Sequence, residues 1–176
     1  MTPNHLTTLR LITGVSAAAC FSMGESDYTT LGAGIFVFSI LLDRADGILA
    51  RLTRKISSIG HKYDLIADTI SNALAFIGIG VGLRSGQLGD LAIPLGLLAG
   101  FAITAVLLLV MTIEIRKGFR AAEIKISASF DPDDAMLLIP IALILDFGIE
   151  LIIAAAIGGP IFAIFFYFKF KHLLGP

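Results

Sequence analysis

FVFSILLDRADGILARLTRK (residues 36–55), followed by GHKYDLIADTISNALAF (residues 60–76), places Asp43, Asp46, Asp64 and Asp68 inside or at the rim of two apolar stretches. An acidic side chain near the centre of a membrane-spanning helix opposes insertion by roughly 2.5 to 3.5 kcal/mol, so four give an upper bound on the order of 10 kcal/mol. Something must neutralise them. At about 100° per residue, Asp43, Asp46, Gly47 and Ala50 share one face of the first helix, while Asp64 and Asp68, at i and i+4, share one face of the second. Two facing carboxylate pairs make an oxygen-only cation site suited to Mg2+ or Mn2+, with Ca2+ a further option, and the lack of a Cys/His cluster argues against structural zinc. Gly47, Ala50 and Gly60 remove side-chain bulk beside the carboxylates and leave space for a planar or phosphorylated ligand close to backbone. His61 reads as a capping or surface residue. The competing reading pairs the aspartates with Arg44, Arg51 and Arg54 and gives the small residues only a packing role. Arginine pairing does not call for four acids on two facing stripes, so the metal reading is preferred.

The rest of the chain agrees with a bilayer as its solvent. Of 176 residues, 56% are hydrophobic and none is tryptophan, and the mean hydropathy is +0.90, far outside the range of soluble domains. Apolar runs between polar interruptions give helices near 6–23, 29–54, 60–83, 91–115, 132–146 and 151–168, several of them near the length that crosses about 30 Å of hydrocarbon. The fifth is the shortest and contains Pro140, and Asp131 stands where it would N-cap a helix starting at Pro132. With the N-terminus inside, Arg51, Arg54, Lys55, Lys62, Arg116, Lys117, Arg120, Lys125, Lys169 and Lys171 all lie on the cytoplasmic side, and Arg84 alone lies outside. The expectation is an all-α, integral-membrane six-helix bundle with both termini cytoplasmic, forming a single domain over residues 1–176. The N-terminus has no basic n-region and no A-x-A site, so the first apolar run is expected to be retained. Cys20 has no partner within the chain and reads as a packing residue. A net charge of −1 gives no reason to expect a nucleic-acid partner.

The run Asp43-x-x-Asp46-Gly47-x-x-Ala50-Arg51, then eight residues, then Gly60-x-x-x-Asp64-x-x-x-Asp68, resembles the signature DxxDGxxAR(x8)GxxxDxxxD of the CDP-alcohol phosphotransferases. All eight signature positions match at the right spacing, a far more specific signal than a lone glycine motif. The resemblance implies an enzyme that moves a phospho-group from a CDP-linked donor to an acceptor alcohol and releases CMP. It implies two divalent ions, Mg2+ or Mn2+, held by Asp43, Asp46, Asp64 and Asp68, with Asp68 also the general base. Gly47, Ala50, Arg51 and Gly60 would line the nucleotide side, Arg51 either touching phosphate or anchoring its helix at the membrane surface. The N-terminal Pro3, Asn4, Leu6, Thr7 and Arg10 are similar to the PNxLTxxR entry of several family branches, which suggests a helix beside the site; Arg10 itself reads as snorkelling from a helix start rather than touching substrate. The resemblance also implies a homodimer, and the placement of Lys and Arg puts the active site on the cytoplasmic side of what is expected to be the cell (inner) membrane.

The acceptor is not resolved by these residues. Asp64-Leu65-Ile66-Ala67-Asp68-Thr69 departs from the DPxADK of the glycerophosphate and cardiolipin synthases, and only Ser71 keeps to the DSLADxxSFG of the serine-using ones. Asn72, one turn beyond Asp68, meets either the acceptor hydroxyls or a neighbouring helix. Arg116, Lys117 and Arg120 offer a phosphate on the acceptor a basic cluster, or simply anchor the chain. Gly78/Gly82 and Gly96/Gly100 are small-xxx-small pairs that serve close packing within the bundle or across a dimer. The leading expectation is a phospholipid head-group synthase using CDP-diacylglycerol, with a soluble CDP-alcohol donor next. The reading from a different class, a divalent-cation transporter or channel, is disfavoured because the outer parts of helices two and three are almost wholly apolar.

Overall fold

A computed structural model describes residues 3–53, 58–117 and 136–174 of the protein. They form six α-helices: α1 (Pro3–Met23), α2 (Ser26–Thr53), α3 (Ser58–Gly82), α4 (Ala92–Lys117), α5 (Leu138–Ile144) and α6 (Gly148–Leu174). Two single 3₁₀ turns, Leu83–Ser85 and Gly89–Leu91, carry the chain from α3 to α4. The described residues contain no strand. The all-α, six-helix expectation therefore holds.

Four stretches are long and apolar enough to cross a membrane: His5–Met23, Ile59–Ser85, Gly89–Ile115 and Gly148–His172. Only 22% of the third window and 17% of the fourth is buried inside the bundle. The outer faces of α4 and α6 expose Leu98, Phe101, Leu108, Ile157, Ile161 and Phe165, a continuous apolar surface that water would not tolerate but hydrocarbon matches. The protein is a multi-span membrane bundle.

Of the expected fifth segment, 132–146, residues 132–135 lie outside the described residues, and the helix ends at Ile144, two residues short. Its seven described residues, Leu138–Ile144, rise about 10 Å, a third of the hydrocarbon thickness. Pro140 sits in the first turn, where its missing N–H breaks no helical bond. Asp146 ends the segment at φ 60°, a left-handed turn that aspartate accepts better than most residues. The proposed cap at Asp131 and Pro132 lies outside the described residues.

Packing is serial: α1 lies against α2 and α3, α3 against α4, α4 against α6, and α5 against α2. The close approaches are made by glycine. A Cβ on Gly78 would overlap the carbonyl oxygen of Ala18, and one on Gly82 that of Phe21. Between α3 and α4, a Cβ on Gly96 would come within 2.6 Å of the Phe76 carbonyl oxygen and one on Gly100 within 3.1 Å of that of Ala73. The spaced glycines thus serve packing inside one chain. Phe21, Phe36, Ile79, Ile139 and Ile152 fill the centre. The bundle has two distinct ends: Gly24, Gly82, Arg84 and Gly148 lie at one, and the aspartates at the other, together with the His61–Glu114 pair.

Candidate active site

The four aspartates come together around a residue of α1. Arg10, 5% exposed, extends its guanidinium between α2 and α3: Nη1 lies 2.7 Å from Asp43 Oδ1 and 3.4 Å from Asp64 Oδ1, and Nη2 donates to Asp68 Oδ1. One turn earlier, the buried Thr7 donates its hydroxyl to Asp46 Oδ2. Two side chains three residues apart on one helix face therefore engage all four acids. Ser39 of α2 fixes the backbone beneath them, its Oγ donating to the Arg10 carbonyl at 3.0 Å. Thr8 and Tyr63 share a hydrogen bond of 2.8 Å that ties α1 to α3.

Arg10 is a correction to the sequence reading. An arginine at a helix start was expected to snorkel to the surface; this one is buried among the acids and is a counter-charge to three of them. The usable signal was present: an arginine one turn after Thr7, in an apolar helix, at the same end of the bundle as four acids. His61 is a second correction. It is not a free surface residue, for its Nε2 lies 3.2 Å from Oε1 of the buried Glu114 on α4. Glu114, a lone acid ending an apolar run, was missed, although such a group requires a partner.

The aspartates differ in their surroundings. Asp46 is 6% exposed, and its Oδ1 is buried without a hydrogen-bond partner. The side chains of Asp64 and Asp68 are 39% and 34% exposed. One wall of the cluster is thus sealed and the other open. Asn72 is buried and donates from Nδ2 to Asp68 Oδ1 at 2.6 Å, so its partner is the acid one turn back in its own helix. Gly47, beside Asp46, and Gly60, one turn before Asp64, are both half-buried. Ala50 and Arg51 lie in the last turns of α2, and Arg116 and Lys117 end α4, but the side chains of these four are outside the described residues, as is the whole of Arg120. Among the described residues no three His, Cys, Asp or Glu side chains converge as metal ligands do; the carboxylates are spread around a guanidinium instead.

Membrane-length apolar helices that enclose a carboxylate cluster at one end define a helical membrane protein with a polar site, a class that includes lipid-modifying enzymes and ion carriers alike. The CDP-alcohol phosphatidyltransferase family profile matches residues 1–168, and the chain belongs to that family. It is an enzyme of the CDP-alcohol phosphotransferase type, acting in lipid biosynthesis, and divalent-cation dependence is general to the family. No curated protein matches the chain. Family membership sets aside the transporter or channel reading.

Proposed function

We propose that the protein transfers a phosphatidyl group from CDP-diacylglycerol to an acceptor alcohol, with release of CMP, at the carboxylate cluster around Arg10. The observation that carries this reading is the gathering of Asp43, Asp46, Asp64 and Asp68 at one point of a chain that belongs to the family over residues 1–168. A lipid-linked donor suits a site built between apolar, membrane-length helices.

The donor set fits divalent ions. It is made only of carboxylate oxygens, and the orphaned Asp46 Oδ1 is a buried anionic atom that a cation would satisfy. Asp43, Asp46, Asp64 and Asp68 would hold two ions, Mg2+ or Mn2+, which supply charge stabilisation for the phosphoryl oxygens and the leaving CMP. Gly47, Ala50, Arg51 and Gly60 are assigned to the nucleotide. Asp68 is assigned as general base: both of its hydrogen bonds fall on Oδ1, so Oδ2 is the atom that takes the acceptor proton. The acceptor oxygen bonds to the phosphorus that carries the lipid, the phosphoanhydride bond to CMP breaks, and the proton moves to Asp68. Asn72 holds Asp68 in place. Arg116, Lys117 and Arg120 are assigned to a phosphate on the acceptor, supported by the approach of the α4 terminus to α3 through Glu114 and His61. The aspartate end faces the cytoplasm in this reading, with both termini on that side, and residues 1–176 act as one catalytic domain, paired in a homodimer.

The test is CMP release by purified protein in Mg2+ or Mn2+, with CDP-diacylglycerol or a soluble CDP-alcohol as donor and a panel of alcohols as acceptors. Release from CDP-diacylglycerol with a polar alcohol is expected. Release only from a CDP-alcohol with diacylglycerol as acceptor would reverse the donor assignment.

A further inference from the structure

Arg10 occupies oxygens that a cation needs. Its guanidinium contacts Oδ1 of Asp43, Asp64 and Asp68, three of the four carboxylates to which the proposed function assigns the metal. A cation seated between those groups and a guanidinium seated there exclude each other, both by volume and by charge. Arg10 contacts three of the four acids, and the buried Asp46 Oδ1 has no hydrogen-bond partner, so the cluster still offers a divalent ion an unpaired anionic oxygen.

Arg10 is also anchored beside the site. It is 5% exposed, its backbone is pinned by Ser39, and Thr7 on the same helix face is held by Asp46. A guanidinium pushed off the carboxylates stays inside the site. Two divalent ions against four carboxylates leave no net negative charge for it to pair with, and the remaining anion is the diphosphate of the donor, which matches its fork of donors.

We infer that Arg10 is a resident counter-cation that competes with divalent metal for Asp43, Asp64 and Asp68 and, once displaced, becomes a partner of the donor diphosphate. It is a positioning residue that exchanges one set of anions for another. The inference rests on the metal reading given under the proposed function, and it makes an unusual demand: removing a residue of the site should tighten metal binding. A residue serving only as a strut would loosen binding or leave it unchanged when replaced.

The experiment is Mn2+ binding to purified full-length protein, read from the electron paramagnetic resonance signal of free Mn2+, for the wild type, Arg10→Gln, Arg10→Lys and Asp43→Asn. Arg10→Gln should bind Mn2+ about tenfold tighter or more, since a unit charge within a few ångströms of the ion is removed. Arg10→Lys, whose ammonium cannot span three carboxylates, should fall between it and the wild type, and it serves as the test if Arg10→Gln does not fold. Both variants should raise the KM for CDP-diacylglycerol at saturating Mn2+. Asp43→Asn should lose Mn2+. If Asp43→Asn binds Mn2+ like the wild type, the metal reading itself fails. If Asp43→Asn loses Mn2+ while the Arg10 variants bind no tighter than the wild type, the metal reading stands and the counter-cation inference is overturned.

Discussion

Asp46→Asn separates the cost of the site from its use. Asp46 is 6% exposed, accepts one hydrogen bond from Thr7, and has a buried second oxygen without a partner. An unsatisfied buried polar atom costs about 1 to 3 kcal/mol, and more when it belongs to a charged group. Asparagine keeps the shape and the Thr7 bond but replaces the buried anion with a neutral amide. The metal-free variant should therefore be more stable than the metal-free wild type by on the order of 1 kcal/mol, or about 2 to 4 °C in Tm for a chain of this size. Metal should act in the opposite direction. A ligand at a hundred times its Kd stabilises by about 2.7 kcal/mol, so saturating Mg2+ should raise the wild-type Tm by roughly 5 to 10 °C on the same scale. In Asp46→Asn that increment should nearly disappear, together with turnover. The assay is thermal unfolding in nanodiscs across a Mg2+ titration. A variant that melts lower than the wild type without metal, yet keeps the full Mg2+ increment, would refute the argument.

Asp68→Asn should slow turnover by about 10²-fold or more while leaving CDP-donor affinity in place; near-wild-type rate would remove Asp68 as the base. Gly82→Val should destabilise the bundle by about 1 to 3 kcal/mol, because its Cβ would meet the Phe21 carbonyl oxygen. Gly34→Ala, with no atom within 4 Å of the added Cβ, should be neutral or stabilise by up to about 1 kcal/mol, and equal effects in thermal unfolding would show that the glycine contacts do not set the packing. In a Cys20→Ala background, Arg84→Cys should react with an impermeant maleimide on intact cells and Lys171→Cys only after lysis; the reverse pattern would invert the proposed orientation.

Much of the fold was legible because hydropathy and turn chemistry are local. The bounds of α1 to α4 fall within three residues of the sequence reading, and α6 runs on to Leu174 rather than 168, its last turn carrying Lys171 and His172. Pro160 within α6 did not break it. The fifth segment was overextended because its apolar run continues through Leu145, and nothing in that run announces the positive φ at Asp146. The acidic face was legible for a different reason: a cost of several kcal/mol per buried acid makes its residues conspicuous wherever they fall. Their partners were not. Which cation reaches Asp43 depends on how α1 crosses α2 and α3, set by contacts such as Gly78 on Ala18, and no spacing within a single helix encodes it.

The same contacts explain why the site is where it is. α3 is the hub of the bundle: its span is 56% buried, against 33% for that of α1, 22% for that of α4 and 17% for that of α6. It receives α1 on one side and α4 on another, and it carries Asp64, Asp68, Asn72 and the His61 that meets Glu114. Acids on a lipid-facing helix would have no means of neutralisation, whereas acids on the hub are within reach of polar groups from two neighbours. α2, which also bears two of the aspartates, depends on the same arrangement: Thr7 and Arg10 of α1 answer its carboxylates across the helix interface. The four aspartates are thus confined to α2 and the first half of α3, where Thr7 and Arg10 of α1 face them. The nearly unbroken apolar surfaces of α4 and α6 are left to meet lipid. Changes on the α1-facing side of α3 should disturb packing and chemistry together, because the glycines that bring the helices close also bring Arg10 to the aspartates.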